Sequence, residues 1–313
     1  MVRPDTPDAP PLVSVGVPVF NGERFLESTV RSLLDQDYPE LEIIISDNAS
    51  TDATPDICSR LAAEDARIQV HRHPENRGAA FNWNFVLSRA RGPYFKWASD
   101  NDRYHPAFVS RCTEVLENQP DVVLCYARTV LVDGDDREIE TDHRDQPIVH
   151  DRAADRFAAI MNHRNLNNAQ SGVIRLEVLR RTRGERRYPH GDWVLMAELA
   201  GRGKFQIVEA PLFYRRIGKA GLSTERLAGS GTLATFIDAS RTGPARCRTW
   251  SEQYDYLASA LRLPISPAEK VRLAAHVIGH AGRRWRTLLG ELRGAAGGLV
   301  RRTGYRNAHQ HRS

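Results

Sequence analysis

The stretch VSVGVPVFNGERFLESTVRSLLDQDYPELEIIISDNASTDAT, residues 13–54, contains two short apolar runs separated by an amphipathic segment. The first run, residues 13–19, stops at a polar turn, as a buried strand does. In the segment that follows, apolar residues recur at the spacing of one helix face, and residues 41–46 form a second apolar run. The stretch therefore predicts a strand, a helix and a second strand.

The same alternation continues to about residue 130. Further strands are predicted at 68–71, 94–99 and 122–129, and further helices are predicted through Ile57 and Leu61, at 79–90 and at 106–116. Continuous apolar strands that alternate with helices are typical of a parallel sheet covered by helices on both faces. We therefore predict an α/β fold with a doubly wound, mainly parallel sheet.

The pattern changes beyond Asp133. Residues 133–146 are too polar for a core, which predicts a surface loop or a hairpin. Residues 152–216 mix helical segments with short strands, and the sequence from about 268 to 300 has helical spacing with interleaved arginines. We predict a flexible leader at 1–12, a domain at 13–222 with halves at 13–130 and 131–222, and a helical, basic C-terminal extension at 223–313.

Composition limits the class of protein. A 313-residue chain with 41% hydrophobic and 27% charged residues is typical of a globular protein. The four cysteines are scattered, which argues against a disulfide framework or a zinc site and is consistent with a reducing cytosol. The first twelve residues lack the apolar segment of a signal peptide, and no apolar run approaches the roughly 18 residues of a membrane span.

Positive charge is concentrated at the end of the chain. From Arg283 onward there are eight arginines and one acid, whereas the rest of the chain is slightly acidic. A basic amphipathic stretch can lie on an anionic membrane, and it can equally pack as a C-terminal helix; the sequence leaves both interpretations open. No helix-turn-helix or aromatic–basic platform is present, so no nucleic-acid partner is predicted.

Polar loops follow three of the predicted strands, in the segments VFNGE, SDNAST and SDND. In open α/β sheets, ligands bind beyond the carboxyl ends of the strands. Asp100 and Asp102 are one residue apart, so on an extended backbone both project to one side and could face a single cation. The alternative is a solvated turn that caps the next helix.

Two common nucleotide motifs are missing. There is no G-x-G-x-x-G after the first strand and no G-x-x-x-x-G-K-[ST], which argues against dinucleotide oxidoreductases and P-loop proteins. The first two strands are followed instead by Asn21, Glu23, Asp47 and Asn48. Their side chains suit a base and a ribose better than a phosphate cradle.

Residues 13–54 and the segment ENRGAAFNWNFVLSRARGPYFKWASDND, residues 75–102, resemble the family-2 inverting glycosyltransferases of the GT-A fold. The resemblance is strong over about 13–130, thinner over 167–216 and absent after about 222. It implies a nucleotide-sugar-binding half at 13–130 and an acceptor-binding half at 131–222. It also implies Mg²⁺ or Mn²⁺ as cofactor, a nucleotide-sugar donor and an acceptor hydroxyl on a glycolipid, glycan or small molecule.

The resemblance also assigns the donor site. It implies that Pro18 and Phe20 line the nucleobase pocket, that Asp47 and Asn48 contact the base and ribose, and that Arg77 lies by the base or phosphates. The family usually has a second acid where this chain has Asn48. An amide still accepts a hydrogen bond from a pyrimidine N3–H, so UDP- and dTDP-sugars are the expected donors.

The metal site is assigned in the same way. By the resemblance, Asp100 takes the ribose hydroxyls, and Asn101 and Asp102 hold the divalent ion on the diphosphate. Many relatives have an acid where this chain has Asn101. Since an amide is a weaker ligand than a carboxylate, Asp102 is expected to carry most of the coordination.

The segment YPHGDWVLMAELAGRGKF resembles the part of the family that contains the general base, which Asp192 matches. A first-turn or N-cap acid is the structural alternative, and His190 is the next candidate base. Arg215 and Arg216 match an arginine-rich segment that closes over the diphosphate, although adjacent arginines are as often a solvated face.

Two rival functions remain open at this stage. A nucleotidylyltransferase shares the sheet and the acidic site but normally has a glycine-rich loop with a lysine after the first strand, which VFNGE lacks. A catalytically silent nucleotide-sugar-binding protein would not need Asp192. We expect a cytoplasmic transferase of cell-envelope glycan, glycolipid or secondary-metabolite synthesis, and the sequence leaves open whether the basic tail makes peripheral contact with the inner face of the membrane.

Overall fold

The computed structural model describes residues 10–162, 167–217, 237–238 and 248–293. The strands are β1 Val13–Val19, β2 Leu41–Asp47, β3 Ile68–Arg72, β4 Tyr94–Trp97, β5 Arg103–Tyr104, β6 Val122–Val132, β7 Glu138–Asp142, β8 Val173–Arg175 and β9 Lys204–Arg216. The helices are α1 Leu26–Leu34, α2 Thr54–Glu64, α3 Ala79–Arg89, α4 Phe108–Asn118, α5 Ala153–Asn162, α6 Leu176–Leu179, α7 Gly191–Arg202, α8 Arg248–Arg262 and α9 Pro267–Arg283. A 3₁₀ turn spans Asn168–Ser171, and residues 285–293 are helical.

All nine strands belong to one sheet. The order is β3-β2-β1-β4-β8-β6-β9-β5, and β7 pairs with β6 as an antiparallel hairpin. β1 to β4 pair in parallel, β8 is antiparallel to both of its neighbours, and β9 is parallel to β6. The strand order reverses at β1, between β2 and β4, which is where such sheets bind ligands.

Helices cover both faces of this sheet. Alternate residues of β2 enter different cores: Ile43 and Ile45 pack with α1, α2 and α4, whereas Ile44 packs with α3, α5 and α7. This alternation explains why the strand sequences are apolar throughout. The prediction of an α/β fold with a mainly parallel, doubly wound sheet is confirmed.

The C-terminal helices α8 and α9 pack on α7 and α5. Tyr256, Leu263, Leu273 and Val277 are buried in the same core as the sheet residues Ile44 and Phe95. The predicted helical character of this region is confirmed for the residues that the structure describes. The predicted boundary at 222, most of the leader and the arginines beyond residue 300 lie outside those residues.

Among the described residues, no helix combines the length and the apolar character that a membrane span requires. The hydrophobic residues of the helices lie instead in amphipathic patterns, as the buried face of α1 illustrates with Leu26, Val30 and Leu33.

Candidate active site

The carboxyl ends of β1, β2, β3, β4 and β9 lie along one edge of the sheet. The first four strands are parallel neighbours, and β9 has the same direction because β4 and β6 are both antiparallel to the strand between them. At the end of β9, the backbone N–H of Arg216 donates a hydrogen bond to Oδ1 of Asp102 at 2.9 Å. The polar loops singled out in the sequence therefore share an edge with the arginine pair.

Asp100 and Asp102 occupy the loop after β4. Asp102 is buried and Asp100 is partly exposed. Gly22, in the loop after β1, lies against Asp100, and a Cβ at Gly22 would be 2.7 Å from Oδ2 of that acid. The missing side chain lets the first polar loop approach the acidic loop closely.

The two carboxyl groups oppose each other's ionisation. Burial, followed by the charge of Asp102, raises the pKa of Asp100 to about 7. Burial also raises the pKa of Asp102, against the opposing influence of Arg215 and of the Arg216 N–H. A bound cation would reverse these effects, because a nearby opposite charge favours the ionised form of an acid.

The chemistry of this pair fits a divalent ion that is shared with a substrate. In the part of the chain that the structure describes, no three or more His, Cys, Asp or Glu side chains are grouped to hold a metal by themselves. Mg²⁺ is commonly bound by one or two carboxylates and completes its shell with substrate phosphates and water. Asp100 and Asp102 provide such a donor set, and the neighbouring Asn101 is partly exposed.

The two arginines at the end of β9 have different surroundings. The side chain of Arg216 is 1% exposed, and its guanidinium donates to the carbonyl oxygens of Asn101 and Asp133. Arg215 is partly exposed and donates from Nη1 to Oδ1 of Asn168 at 2.8 Å. Arg216 thus braces the acidic loop from within the protein, and of the two it is Arg215 that reaches solvent.

Asn48 is buried and uses its amide inside the protein. Its Oδ1 accepts a hydrogen bond from the backbone N–H of Arg77 at 3.1 Å, and its Nδ2 donates to Asn76 and to the Gly78 carbonyl. The Arg77 side chain is exposed and lies over the ring of Phe81, with the guanidinium carbon 3.8 Å from the ring centre. Asn48 therefore fixes the loop that carries Arg77.

Asp47, at the end of β2, has one satisfied and one unsatisfied oxygen. Oδ1 accepts the backbone N–H of Ser50 at 2.9 Å. Oδ2 is buried, has no hydrogen-bond donor among the described residues and lies 3.4 Å from Nε of Arg72. Because buried carboxylate oxygens are almost always hydrogen-bonded, this atom marks a place where a ligand donor is expected.

Asn21 and Glu23 join the loop after β1 to the loop after β2. Oδ1 of Asn21 accepts the N–H of Thr51 at 2.8 Å, and Oε2 of Glu23 accepts the N–H of Ala53 at 3.0 Å. In the same region, Pro18 is buried within β1 and Phe20 is partly exposed just beyond it. The structure uses the two polar side chains to hold the loops together.

Asp192 lies in the first turn of α7 and is partly exposed. Its Oδ2 accepts a hydrogen bond from Nδ2 of Asn167 at 2.7 Å. The N-cap position belongs to His190, which has a φ of 70° and makes no side-chain capping bond. Asp192 is therefore a first-turn acid that benefits from the helix dipole without capping the helix.

A short segment connects Asp192 to the acidic loop. Asn167 binds Asp192, and the adjacent Asn168 accepts a hydrogen bond from Arg215. Arg215 is followed by Arg216, whose N–H binds Asp102. Nδ2 of Asn168 is also held by two buried acids, Asp142 and Asp145. Asp192 and the acidic loop are thus linked through one polar network.

Two further residues of this region were not found from the sequence. Glu185 accepts a hydrogen bond from Gln170, and burial followed by the charge of Asp192 raises its pKa well above the usual range. It lies within the charged stretch TRGERRY, which looks like an ordinary surface loop. Lys96 is fully buried in β4, with Nζ 3.6 Å from the ring centre of Tyr104; a lysine inside an apolar strand was its only signal.

Known proteins share this fold. A crystal structure of S. aureus TarS 1-349 in complex with UDP-GlcNAc superposes with a TM-score of 0.61 at 15% identity, covering 86% of this chain and 72% of that one. The mannosyltransferase PcManGT from Pyrobaculum calidifontis, in complex with GDP-Man and Mn²⁺, has a TM-score of 0.52 at 20% identity and covers 94% of this chain and 88% of its own. At these identities the comparison establishes a common GT-A fold.

Sequence comparison is more specific. The glycosyltransferase TuaG of Bacillus subtilis strain 168, named for teichuronic acid biosynthesis, is 44% identical over 94 residues, which is 30% of this chain and 37% of the relative. The chain thus spans little more than a third of the length of that relative. A model of the family described as glycosyl transferase family 2 matches residues 14–179. Since this match covers more than half of the chain and includes β1 to β8, the chain belongs to glycosyl transferase family 2.

Proposed function

We propose that the protein transfers a sugar from a UDP- or dTDP-sugar to an acceptor hydroxyl, with inversion at the anomeric carbon and with help from Mg²⁺ or Mn²⁺. The observation that carries the proposal is the polar edge in which Asp192 and the Asp100–Asp102 pair are joined through Asn167, Asn168 and the end of β9. A transferase needs a general base for the acceptor and a site for the diphosphate, and this edge of the sheet carries candidates for both.

The donor half of the proposal assigns the nucleoside to the loops after β1, β2 and β3. Oδ2 of Asp47 is the buried acceptor that a base or ribose donor would satisfy. Phe20 supplies an apolar surface, and Arg77 is exposed and placed on a loop that Asn48 holds in position. Pro18, Asn21, Glu23 and Asn48 contribute by shaping this pocket.

The diphosphate would lie at the acidic loop. Asp102, Asp100 and Asn101 would hold Mg²⁺ or Mn²⁺, which supplies Lewis-acid stabilisation to a diphosphate leaving group. Arg215 would bind a phosphate oxygen, and Arg216 positions Asp102 through its backbone N–H. The Mn²⁺ in the PcManGT complex supports the choice of ion.

The acceptor side is assigned to the start of α7. A carboxylate of Asp192 takes the proton of the acceptor hydroxyl while that oxygen bonds to the anomeric carbon. The bond from this carbon to the diphosphate oxygen breaks on the opposite side, so the configuration inverts and a nucleoside diphosphate leaves. Asn167 orients the carboxylate for this step.

We also propose an acceptor class and a location. The name of TuaG supports a cell-envelope glycan or glycolipid as acceptor, with a secondary metabolite as the alternative. With an acceptor of this class, the proposal puts the protein in the cytoplasm, with peripheral contact at the inner face of the membrane.

Incubation with a panel of UDP-, dTDP- and GDP-sugars and Mn²⁺ tests the proposed reaction without knowledge of the acceptor. We expect slow hydrolysis of one donor, with release of its nucleoside diphosphate, because water can replace the acceptor. Release of pyrophosphate from a nucleoside triphosphate and a sugar phosphate would indicate a nucleotidylyltransferase. Tight binding of a donor without turnover, even with cell-envelope acceptors added, would indicate a silent binding protein.

A further inference from the structure

The C-terminal helices carry most of the exposed apolar side chains of the protein. Eleven large apolar residues are exposed in the described part of the chain, and nine of them lie between residues 250 and 292. Four are on α8: Trp250, Tyr254, Leu257 and Leu261. Their spacing of three or four residues places them on one face of that helix.

The second stripe runs along α9 and residues 285–293. It consists of Val271, Ile278, Trp285, Leu289 and Leu292. Val271 and Ile278 are seven residues apart on α9, and Trp285, Leu289 and Leu292 are spaced by four and three residues in the helical segment that follows, so the members of each set share one face of their helix. Val271 and Ile278 are 72% and 68% exposed, values that are high for aliphatic side chains of a folded protein.

Both stripes face away from the body of the protein. The opposite faces of the helices are buried on α5 and α7 through Tyr256, Leu273 and Val277. The helices are joined at both ends, because Nε1 of Trp250 donates to the Leu288 carbonyl at 3.0 Å and Nζ of Lys270 donates to the Leu261 carbonyl at 2.9 Å. The two stripes therefore form one surface, which we call the outer face.

All acidic residues between 248 and 293 are ion-paired or hydrogen-bonded within the protein. Glu252 pairs with Arg284 at 2.6 Å, and Asp255 accepts a hydrogen bond from the hydroxyl of Tyr188 at 2.7 Å. Glu269 accepts the N–H of Ala154, and Glu291 accepts the N–H of Thr249. No acid of these helices is left for the outer face.

Basic residues, by contrast, are exposed beside the stripes. Arg262, Arg272, Arg283, Arg286 and Arg293 are all exposed, although Arg272 also pairs with Asp155 and Arg283 also donates to Asn162, both on α5. The sequence that follows, residues 294–313, adds four arginines and no acid. The outer face thus combines tryptophan, tyrosine and aliphatic side chains with arginine, without negative charge of its own.

We propose that the outer face docks on an anionic lipid bilayer. Arginines are attracted to anionic headgroups, aliphatic side chains enter the boundary of the acyl chains, and tryptophan and tyrosine favour that same boundary. A second copy of this face would bring arginines against arginines, and a nucleic acid would leave the aliphatic residues without a partner. The inference locates the membrane contact of the proposed function on α8 and α9. The surface itself is argued independently, and only the idea that the acceptor is at the membrane rests on the proposed function.

Vesicle flotation of the full chain tests the proposal. Vesicles of phosphatidylcholine with phosphatidylglycerol are compared with vesicles of phosphatidylcholine alone. We expect binding to the anionic vesicles that weakens at high salt, and little binding to the neutral ones. The triple variant Val271→Ser, Ile278→Ser, Trp285→Ser should lower the partition coefficient about tenfold or more, because these side chains are exposed in the free protein.

The chain offers a matched control. Ile139 and Val149 are the other two exposed large apolar residues, and they lie outside the C-terminal helices. The double variant Ile139→Ser, Val149→Ser should float like the wild type. Circular dichroism shows whether the triple variant remains folded, and Arg286→Gln with Arg293→Gln, which keeps the apolar stripes, should weaken binding to anionic vesicles alone.

Several results would overturn the proposal. These are equal binding of the wild type to both kinds of vesicle, unchanged flotation of the folded triple variant, and a stable dimer in sedimentation that the triple variant dissociates. Donor hydrolysis without vesicles is measured on the same samples and should be unaffected by the triple variant. Vesicle binding by a protein that hydrolyses no donor would leave the docking surface standing and remove the proposed reaction instead.

Discussion

Ionisation of Asp100 has opposite effects on stability and on ligand binding. It lowers the free energy of unfolding, but the ionised carboxylate is the form that the proposed cation would bind. Its pKa of about 7 in the folded protein means that it holds its proton to much higher pH than in the unfolded chain. Between about pH 4 and pH 7 the folded state therefore binds more protons, so the free energy of unfolding falls as the pH rises through this window. A bound cation would compensate this loss.

We predict that Asp100→Asn stabilises the metal-free protein at pH 8. An amide cannot ionise, so the variant avoids the loss, and a gain on the order of 1 kcal/mol would raise Tm by about 2 °C. Differential scanning calorimetry at pH 5 and pH 8 measures both proteins, and the gain should be smaller at pH 5. Asp133→Asn is the opposite control, since backbone N–H donors lower the pKa of Asp133 and its replacement should destabilise at pH 8. If Asp100→Asn raised Tm equally at both pH values, the raised pKa of Asp100 would not be the cause of the stabilisation, which would contradict the prediction.

Asp192→Asn is predicted to separate binding from transfer. The side chain keeps its size and can still accept the hydrogen bond from Asn167, but it no longer takes a proton. Donor and metal binding should be retained, while transfer falls by about 10²- to 10⁴-fold, as is typical for loss of a general base. Transfer rate and donor dissociation constant are measured on one preparation. Transfer at the wild-type rate would move the base elsewhere, with His190 and Glu185 next, and loss of donor binding would mean that Asp192 shapes the site.

At the residue scale, local sequence predicts which groups are polar at a strand end but not what each side chain binds. The D-x-D spacing predicted that Asp100 and Asp102 project to one side of an extended backbone. The strand β4 ends at Trp97, however, and Asp100 and Asn101 lie in a turn, where the charge of Asp102 still acts on Asp100. Asn48 was expected to face the nucleobase, yet its amide is engaged by the loop at residues 76–78. Its partners lie almost thirty residues away in the chain, and no local pattern reports such contacts.

At the element scale, α9 begins with a side-chain cap. This cap matters for the outer face because α9 carries part of that face. Ser266 accepts the N–H of Glu269 at 3.2 Å, and Glu269 in turn accepts the N–H of Ala154. The cap therefore fixes the start of α9, and the side chain of Glu269 attaches this end of the helix to α5. The helix it stabilises carries Val271 and Ile278.

We predict that Ser266→Ala lowers the free energy of unfolding by about 1 kcal/mol, the usual cost of losing an N-cap. Urea denaturation followed by circular dichroism measures this. Ser266→Asp should restore the stability, because aspartate is an equally good cap. Donor binding should not change in either variant, since α9 does not contribute to the polar edge. Equal stability of wild type and Ser266→Ala would show that packing alone sets the start of α9.

Helices were predictable from apolar residues at helical spacing, and parallel strands were predictable from short continuous apolar runs. The strands β1 to β3 and the helices α1 to α4 agree with the predictions to within a few residues. The strand β8 is only three residues long, and its antiparallel pairing with β4 and β6 depends on residues far away in sequence. The polar segment beyond residue 133 turned out to be a hairpin, because β7 pairs with the C-terminal end of β6.

At the scale of the whole molecule, the sheet topology explains why the site exists. Residues from the first hundred positions and from positions 167–216 meet because β9 returns to the sheet in the direction of β1 to β4. The N–H of Arg216 on Asp102, more than a hundred residues apart, is the contact that closes the edge. The sequence resemblance implied that these two regions form one site. The contacts that connect them could not be predicted without the fold.

The central claim is that a nucleoside diphosphate binds at this edge through a divalent ion held by Asp102. Calorimetric titration with UDP, dTDP and GDP, in Mn²⁺ and again with the metal chelated, measures it on the wild type, Asp102→Ala and Asp102→Asn. Asp102→Asn keeps an acceptor for the Arg216 N–H, and Glu114→Ala removes an exposed acid on α4 as a control. We predict metal-dependent binding in the wild type and in Glu114→Ala, and affinity about 100-fold weaker in both Asp102 variants. Equal affinity of the folded Asp102 variants and the wild type, or binding that persists without metal, would contradict the account.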